Sequence, residues 1–290
     1  DIRMIKTNLE KRKKNERRFK LMCLSLTWMS LVILVVLLLH VSLEGFSRLS
    51  LDFLTNFPSR FAHKAGLKSA LWGSIWLMGL VFLIAVPIGV ASAIYLEEYN
   101  SRGKLSRFIE INISNLAGVP SVVYGILGLA IFVRFFGLDR SLLAGSMTMS
   151  LLILPVIIIS SRESLRAVPQ SIRHGAFALG ATNLQTIWHH VLPPAFPGIM
   201  TGVILAMSRA IGETAPLIMI GALTYIAFLP TSPMDPFTTL PIQIFNWSSR
   251  PQSAFQEVAA AGIIVLLTVL LLMNTTAVII RYRAQKKYKW

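Results

Sequence analysis

Two residues of opposite charge stand within a stretch long and apolar enough to cross a bilayer: Arg209 and Glu213, in GVILAMSRAIGETAPLIMIGAL at residues 202–223. A charge at the centre of a lipid-facing helix costs about 2.5 to 3.5 kcal/mol on insertion scales, so such groups turn toward a bundle interior or a wet cavity and mark a pathway. Four apart, they share one helix face. Gly202, Ala206 and Pro216 fall on that face, and Ile204, Met207, Ile211 and Ile218 fall opposite, which predicts a protein-facing stripe and a lipid-facing one. Pro216 removes a backbone hydrogen bond just past Glu213, so the helix is expected to bend or open there and leave carbonyls free beside the pair.

Two kinds of chemistry fit. In one, the two charges only neutralise each other inside a helical bundle. In the other, the planar donor fork of Arg209 meets a small oxyanion, with Glu213 holding the guanidinium when no anion is there. Ser208 and Thr214 beside the pair, with Ser121 and Tyr124 in an earlier polar span, are the further candidates for such a pathway.

The elements that must position these groups follow from composition. The chain has 290 residues, 54% hydrophobic, only 14% charged, with a mean hydropathy of +0.64, too apolar for an ordinary soluble domain. Apolar runs of about 20 residues favour membrane helices over a barrel, whose strands are shorter and alternate. The net charge of +15 gathers at the chain ends beside the spans, which is a topology signal and not a nucleic-acid surface. A single cysteine, Cys23, excludes an internal disulfide and a CxxC site.

In chain order, a basic amino tail at 1–20 precedes a first span at 21–40 that lacks a signal-peptide cleavage pattern. Further spans are predicted at about 67–96, 111–133, 141–159, 202–223 and 258–280, with a cytoplasmic loop at 160–195, an irregular outer segment at 224–256 anchored by Trp247, and a basic carboxyl tail at 281–290. The span at 111–133 is unusually polar, holding Asn112, Ser114, Asn115, Ser121 and Tyr124. The loop at 97–107 contains RGKLS, but Glu98 stands where a nucleotide-binding loop needs glycine. Twenty Lys and Arg fall on the side assigned to the cytoplasm and seven on the other, which puts both termini in the cytoplasm.

Within 160–195, Pro169 can open a helix, Gly180 can end it in a left-handed turn, and Thr182 with Gln185 forms a capping box for a second helix that Pro193 and Pro194 would stop. The prediction is a helix-turn-helix outside the membrane. His189 and His190 are adjacent and so point to different faces, which favours solvated histidines over a metal pair.

That hairpin, VPQSIRHGAFALGATNLQTIWHHVLPPAFPGI, resembles the EAA loop of ABC importer permeases, the matching positions being His174, Gly175, Ala176, Gly180, His190, Leu192 and Pro193. The spacing is kept, while the Glu, the first Ala and the Ile of the pattern are replaced. With PIGVASAIYLEEY, NLAGVPSVVYGILGL and SRAIGETAPL, residues 67–280 look like the PstA-type permeases of phosphate-specific ABC transporters. The resemblance implies an all-α bundle of six transmembrane helices with the type I ABC importer permease fold, in a bacterial inner membrane. It implies phosphate as substrate, a second PstC-type permease, two ATPase subunits with coupling through 173–191, where Arg173 stands beside the matching positions, and a periplasmic phosphate-binding protein. It also implies no cofactor and no catalytic site in this chain, ATP and Mg being used by the ATPase subunits. A permease for another small oxyanion and an ion-coupled carrier remain alternatives; the latter would need no docking hairpin. A membrane hydrolase would need a base at mid-membrane depth, and His40, His63, His174, His189 and His190 all lie at or beyond the ends of spans.

Overall fold

The computed structural model describes residues 2–99, 103–222 and 225–286; Arg102, the end of the 202–223 stretch and the last residues of the carboxyl tail lie outside them. Twelve α-helices are present among the described residues: α1 Ile2–Gly45, α2 Leu51–Thr55, α3 Lys68–Ile94, α4 Lys104–Ala117, α5 Ser121–Gly128, α6 Leu142–Arg166, α7 Gln170–Ala178, α8 Asn183–Thr186, α9 Leu192–Gly212, α10 Ala215–Ile220, α11 Leu240–Ser248 and α12 Ser253–Lys286. Wider π turns prolong α3 through Tyr95–Tyr99 and α5 through Leu129–Phe135, and join α8 to α9 through Ile187–Val191.

Five helical segments are long and apolar enough to cross a membrane, and the predicted third span is present only as a broken pair, α4 and α5, bent by 105°. The expected single helix at 111–133 is therefore corrected. Gly118 ends α4, and Pro120 both disfavours helical geometry in Val119 and opens α5. A polar contact ties α4 to α6, where Glu110 pairs with Arg162 at 3.0 Å, and Asn112 Nδ2 is satisfied within α4 by the carbonyl of Phe108. Across the bend, the Tyr124 hydroxyl donates to the Leu116 carbonyl at 2.8 Å.

The core lies between α3, α6 and α9, filled by residues such as Val81, Ala85, Ile153, Ile157, Val203 and Ala206. α6 and α9 run antiparallel at close range, because Gly202 faces Ser160 and Gly198 faces Ser164 with no room for a Cβ at either glycine. α1 stands apart: its apolar segment is exposed throughout and it packs on the flank of α12. A second core joins α2, α11 and the first turns of α3 and α12 around Trp247, whose ring lies 5.9 Å from Phe53. Here too the prediction is corrected. The segment at 224–256 is not irregular throughout, since Pro241 in the first turn of α11 starts a helix, and Trp247 is a fully buried core residue and not an interfacial anchor.

The hairpin forms as its caps predict. Pro169 precedes α7, Gly180 turns left-handed at φ 84°, and Thr182 and Gln185 complete both bonds of the capping box. Its second limb does not stop at Pro193 and Pro194. Prolines in the first turn of a helix surrender no bond that the turn could make, so α8, the π turn and α9 form one span of 30 residues, Asn183–Gly212. α6 likewise continues to Arg166, which shortens the connecting loop to Ala167–Pro169.

Candidate functional site

Arg209 stands in the last turn of α9, and Glu213 is the first residue after it, in extended conformation at φ −76° and ψ 129°. The break expected from Pro216 occurs here: α9 ends at Gly212, and Pro216 lies in the first turn of α10. The break does not separate the charges. Arg209 Nε donates to Glu213 Oε1 at 3.3 Å. Depth follows from α6: from Gly202, opposite Ser160, seven residues of rise carry Arg209 about 10 Å further, to roughly the midpoint of the ~37 Å length of α6.

The face it occupies is not the predicted one. Met207 and Ile211, expected toward lipid, are buried, and Ile211 and Ala210 line one small pocket together with Leu77 and Met78 of α3. The Arg209 side chain is 47% exposed and that of Glu213 19%. Apolar side chains fill the interior of the chain's own bundle, so the charged pair is displaced to its open side, with the exposed Leu205 one turn below. Tyr124 lies within electrostatic reach of Arg209, and α5 meets α10 closely at Gly125 and Pro216. Of the remaining candidates, Ser208 donates to Asn274 Oδ1 of α12 at 2.6 Å and serves the α9–α12 contact. Thr214 precedes α10 without capping it, and Ser121 opens α5. Asn274 had no sequence signal beyond being a polar residue in an apolar span.

At the hairpin, the candidates divide by face. His174, Gly175 and Gly180 are exposed, with Leu179 and Trp188 beside them; Leu192 and Pro193 are half-buried; Ala176 and Arg173 are buried. Arg173 points inward, to Glu98 at the end of α3, at 2.6 Å. Sequence reasoning passed over the partners in this region: Glu97, Glu98, Glu110, Arg162 and Arg166. Their signal was available as two adjacent carboxylates closing an apolar span.

At the opposite end of the bundle, the Asp235 carboxylate accepts from the amides of Thr231 at 2.8 Å and Ser232 at 2.9 Å, and its carbonyl accepts from Leu142. The Thr231 amide, then that of Ser232, holds this carboxyl below its ordinary value of 3.8. A lowered native pKa stabilises the turn at every pH above the ordinary value and is lost as pH falls through the lowered one. Amide hydrogen exchange at Thr231 and Ser232, compared at equal pH, is expected to be faster in Asp235→Asn than in the unaltered chain above the ordinary carboxylate range, and to become equal in the two below the lowered value, where the native carboxyl is protonated as well.

Residues 85–288 match the family described as binding-protein-dependent transport system inner membrane component. The chain belongs to that family. It is 31% identical over 79% of its length to the probable ABC transporter permease protein YqgI of Bacillus subtilis, covering 82% of that protein. It is 32% identical over 89% of its length to the phosphate transport system permease protein PstA of Haemophilus influenzae, covering 92% of it. In fold it is similar to a chain of a bacterial ABC transporter involved in import of the acidic polysaccharide alginate, with a TM-score of 0.67 at 18% identity over 95% of this chain and 99% of that one. This inner membrane component therefore has the helical type I ABC importer permease fold and is a multi-pass membrane protein.

Proposed function

We propose that this chain is the PstA-type permease of an ATP-driven importer that carries inorganic phosphate across the bacterial inner membrane. One observation carries the proposal: a partly exposed Arg209–Glu213 pair at mid-height of the bundle, beside a helix break and on the chain's open side. Phosphate at neutral pH carries one to two negative charges and leaves water only where fixed donors replace its shell. Arg209 supplies such donors, and Glu213 competes for them, which keeps binding weak enough for release. The likeness to the Haemophilus phosphate permease supports this choice of oxyanion.

A pathway on the open side needs a second wall, which a PstC-type permease supplies. One of two ATPase subunits, which hold ATP and Mg, docks on the exposed face of α7 and α8 around His174, Gly175 and Gly180. A periplasmic phosphate-binding protein docks at the α11 end. Both termini, with their basic residues, then lie in the cytoplasm.

Vesicles containing the tagged chain, its second permease and the ATPase, filled with ATP and given binding protein and radiolabelled phosphate on the outside, test this. Uptake should need ATP and all four components. Uptake that persists without the ATPase and follows an ion gradient would replace the proposal with a carrier. Uptake of sulfate in preference to phosphate would replace the substrate.

A further inference from the structure

The two carboxylates that close α3 are each held by an arginine of a different element. Glu97 Oε2 accepts from Arg162 Nε at 2.9 Å and from Arg166 Nη2 at 3.3 Å, both on α6. Glu98 receives Arg173 of α7 in a two-point clasp, Nη2 to Oε1 at 2.6 Å and Nε to Oε2 at 3.1 Å. The same guanidinium donates to the carbonyls of Val168 at 2.7 Å and Leu165 at 2.9 Å, where α6 ends. Arg162 reaches Glu110 of α4 as well. All of this lies at the hairpin end of the bundle, and the side chains of Arg173 and Glu98 are only 7% and 9% exposed.

The rest of the hairpin is not packed against α3. A cleft of about 410 Å³ lies there, bordered by Glu97 and Glu98 on one side and by Gln170, Asn183 and Thr186 on the other, and the buried Thr186 hydroxyl has no partner. Three residues tie α7 to α6, and a continuous helix ties α8 to α9. Ile172 packs α7 against the main core, and Arg173 adds a polar join from the hairpin sideways to the end of α3.

We propose that Glu98 and Arg173 are positioning residues for energy coupling. Resting on the reading of the chain as an ATP-driven permease, the proposal is that their clasp makes α7 and the adjoining ends of α3 and α6 move as one body. Displacement of the hairpin by a docked ATPase is then delivered to α3 and α6 and not only along the α8–α9 rod. Swinging α7 away from α3 breaks two charge-assisted bonds of a buried pair and leaves both charges uncompensated, so the join holds under load.

The test uses the assembled complex in lipid nanodiscs and vesicles, with Cys23→Ser, and spin labels at Leu83→Cys on α3 and Ser171→Cys in the first turn of α7, both exposed in this chain and away from the docking face. A single narrow label distance, unchanged by ATP, is expected with the clasp intact. Glu98→Gln should broaden that distance and lower phosphate imported per ATP hydrolysed by about tenfold, within the usual range of coupling energies between sites, while ATP hydrolysis itself changes less than about twofold. Glu98→Asp keeps the charge but withdraws it by one methylene, and should shift both readouts in the same direction in a complex that assembles. A distance that already changes with ATP, or variants that assemble with the original distance and coupling ratio, would overturn the join while leaving phosphate import intact. A broadened distance in variants of a complex that never imports phosphate would support the join and remove the transport reading, because the distance needs no substrate.

Discussion

Arg209→Lys, with Glu213 in place, is expected to cut phosphate import by roughly 10- to 100-fold while leaving assembly unchanged. Lysine keeps the charge and loses the planar fork, so one charge-assisted bond to the anion goes, worth about 1.5 to 3 kcal/mol, and about 1.36 kcal/mol is tenfold. Side-chain exposures of 47% and 19% make a purely structural role testable. A partly exposed i,i+4 pair adds at most about 1 kcal/mol to stability, so apolar residues can replace it at little cost. Arg209→Met with Glu213→Leu should therefore yield a folded, membrane-inserted, assembled chain that imports nothing. Radiolabelled phosphate uptake, normalised to complex recovered by affinity purification, measures both. Wild-type uptake by the double variant would reduce the pair to a salt bridge and end its assignment to the pathway.

How far the sequence reveals this site depends on what each residue type encodes locally. Spans 141–159 and 258–280 are legible because about 20 apolar residues in a row have few other destinations, and α6 and α12 contain both. The break after Gly212 is legible because Pro216 cannot continue the backbone ladder. The hairpin is legible in its caps, from Pro169 to Gly180 to Thr182, because capping is a matter of three or four neighbouring residues.

Facing is another matter. Periodicity places Arg209 and Met207 on different sides of α9 but does not say which side the rest of the chain covers. The usual rule that charged residues face the bundle interior holds for a complete bundle. This chain buries Met207 and Ile211 and leaves Arg209 outward. Arg173 shows the same limit from the other direction: a charged residue in an exposed hairpin reads as a docking residue until Glu98, 75 positions earlier, is brought to it. The misplacement of α4 has a local cause that was on view. Gly118 and Pro120 bracket a helix end, and Lys104, Arg107 and Glu110 make the preceding segment too polar for a membrane span, yet the apolar total across 111–133 outweighed both signals.

A backbone contact beside the charged pair constrains its geometry, and Gly125→Val should cut import at least tenfold. A Cβ at Gly125 would stand 2.7 Å from Pro216 Cα and 2.9 Å from the Pro216 carbonyl oxygen, with the Met219 Cβ at 2.8 Å. Two of these atoms are backbone and cannot rotate aside as a flexible side chain would, so α5 and α10 must part. Overpacking of this kind costs about 1 to 3 kcal/mol, too little to unfold a bundle whose main core, between α3, α6 and α9, lies elsewhere. Function is more exposed than stability. α10 has only six residues and follows directly on the Glu213 break, so displacing Pro216 moves Glu213 away from Arg209, and α5 carries Tyr124 away with it. Uptake is expected to fall at least tenfold, since a single lost charge-assisted bond already accounts for that much. Gly79→Ala on α3 is the matched control: nothing lies within 4 Å of its added Cβ, and the change should leave uptake intact while adding up to about 1 kcal/mol of helix propensity. Uptake by Gly125→Val at the rate of the Gly79→Ala control would mean that the approach of α5 to α10 does not hold the charged pair in place.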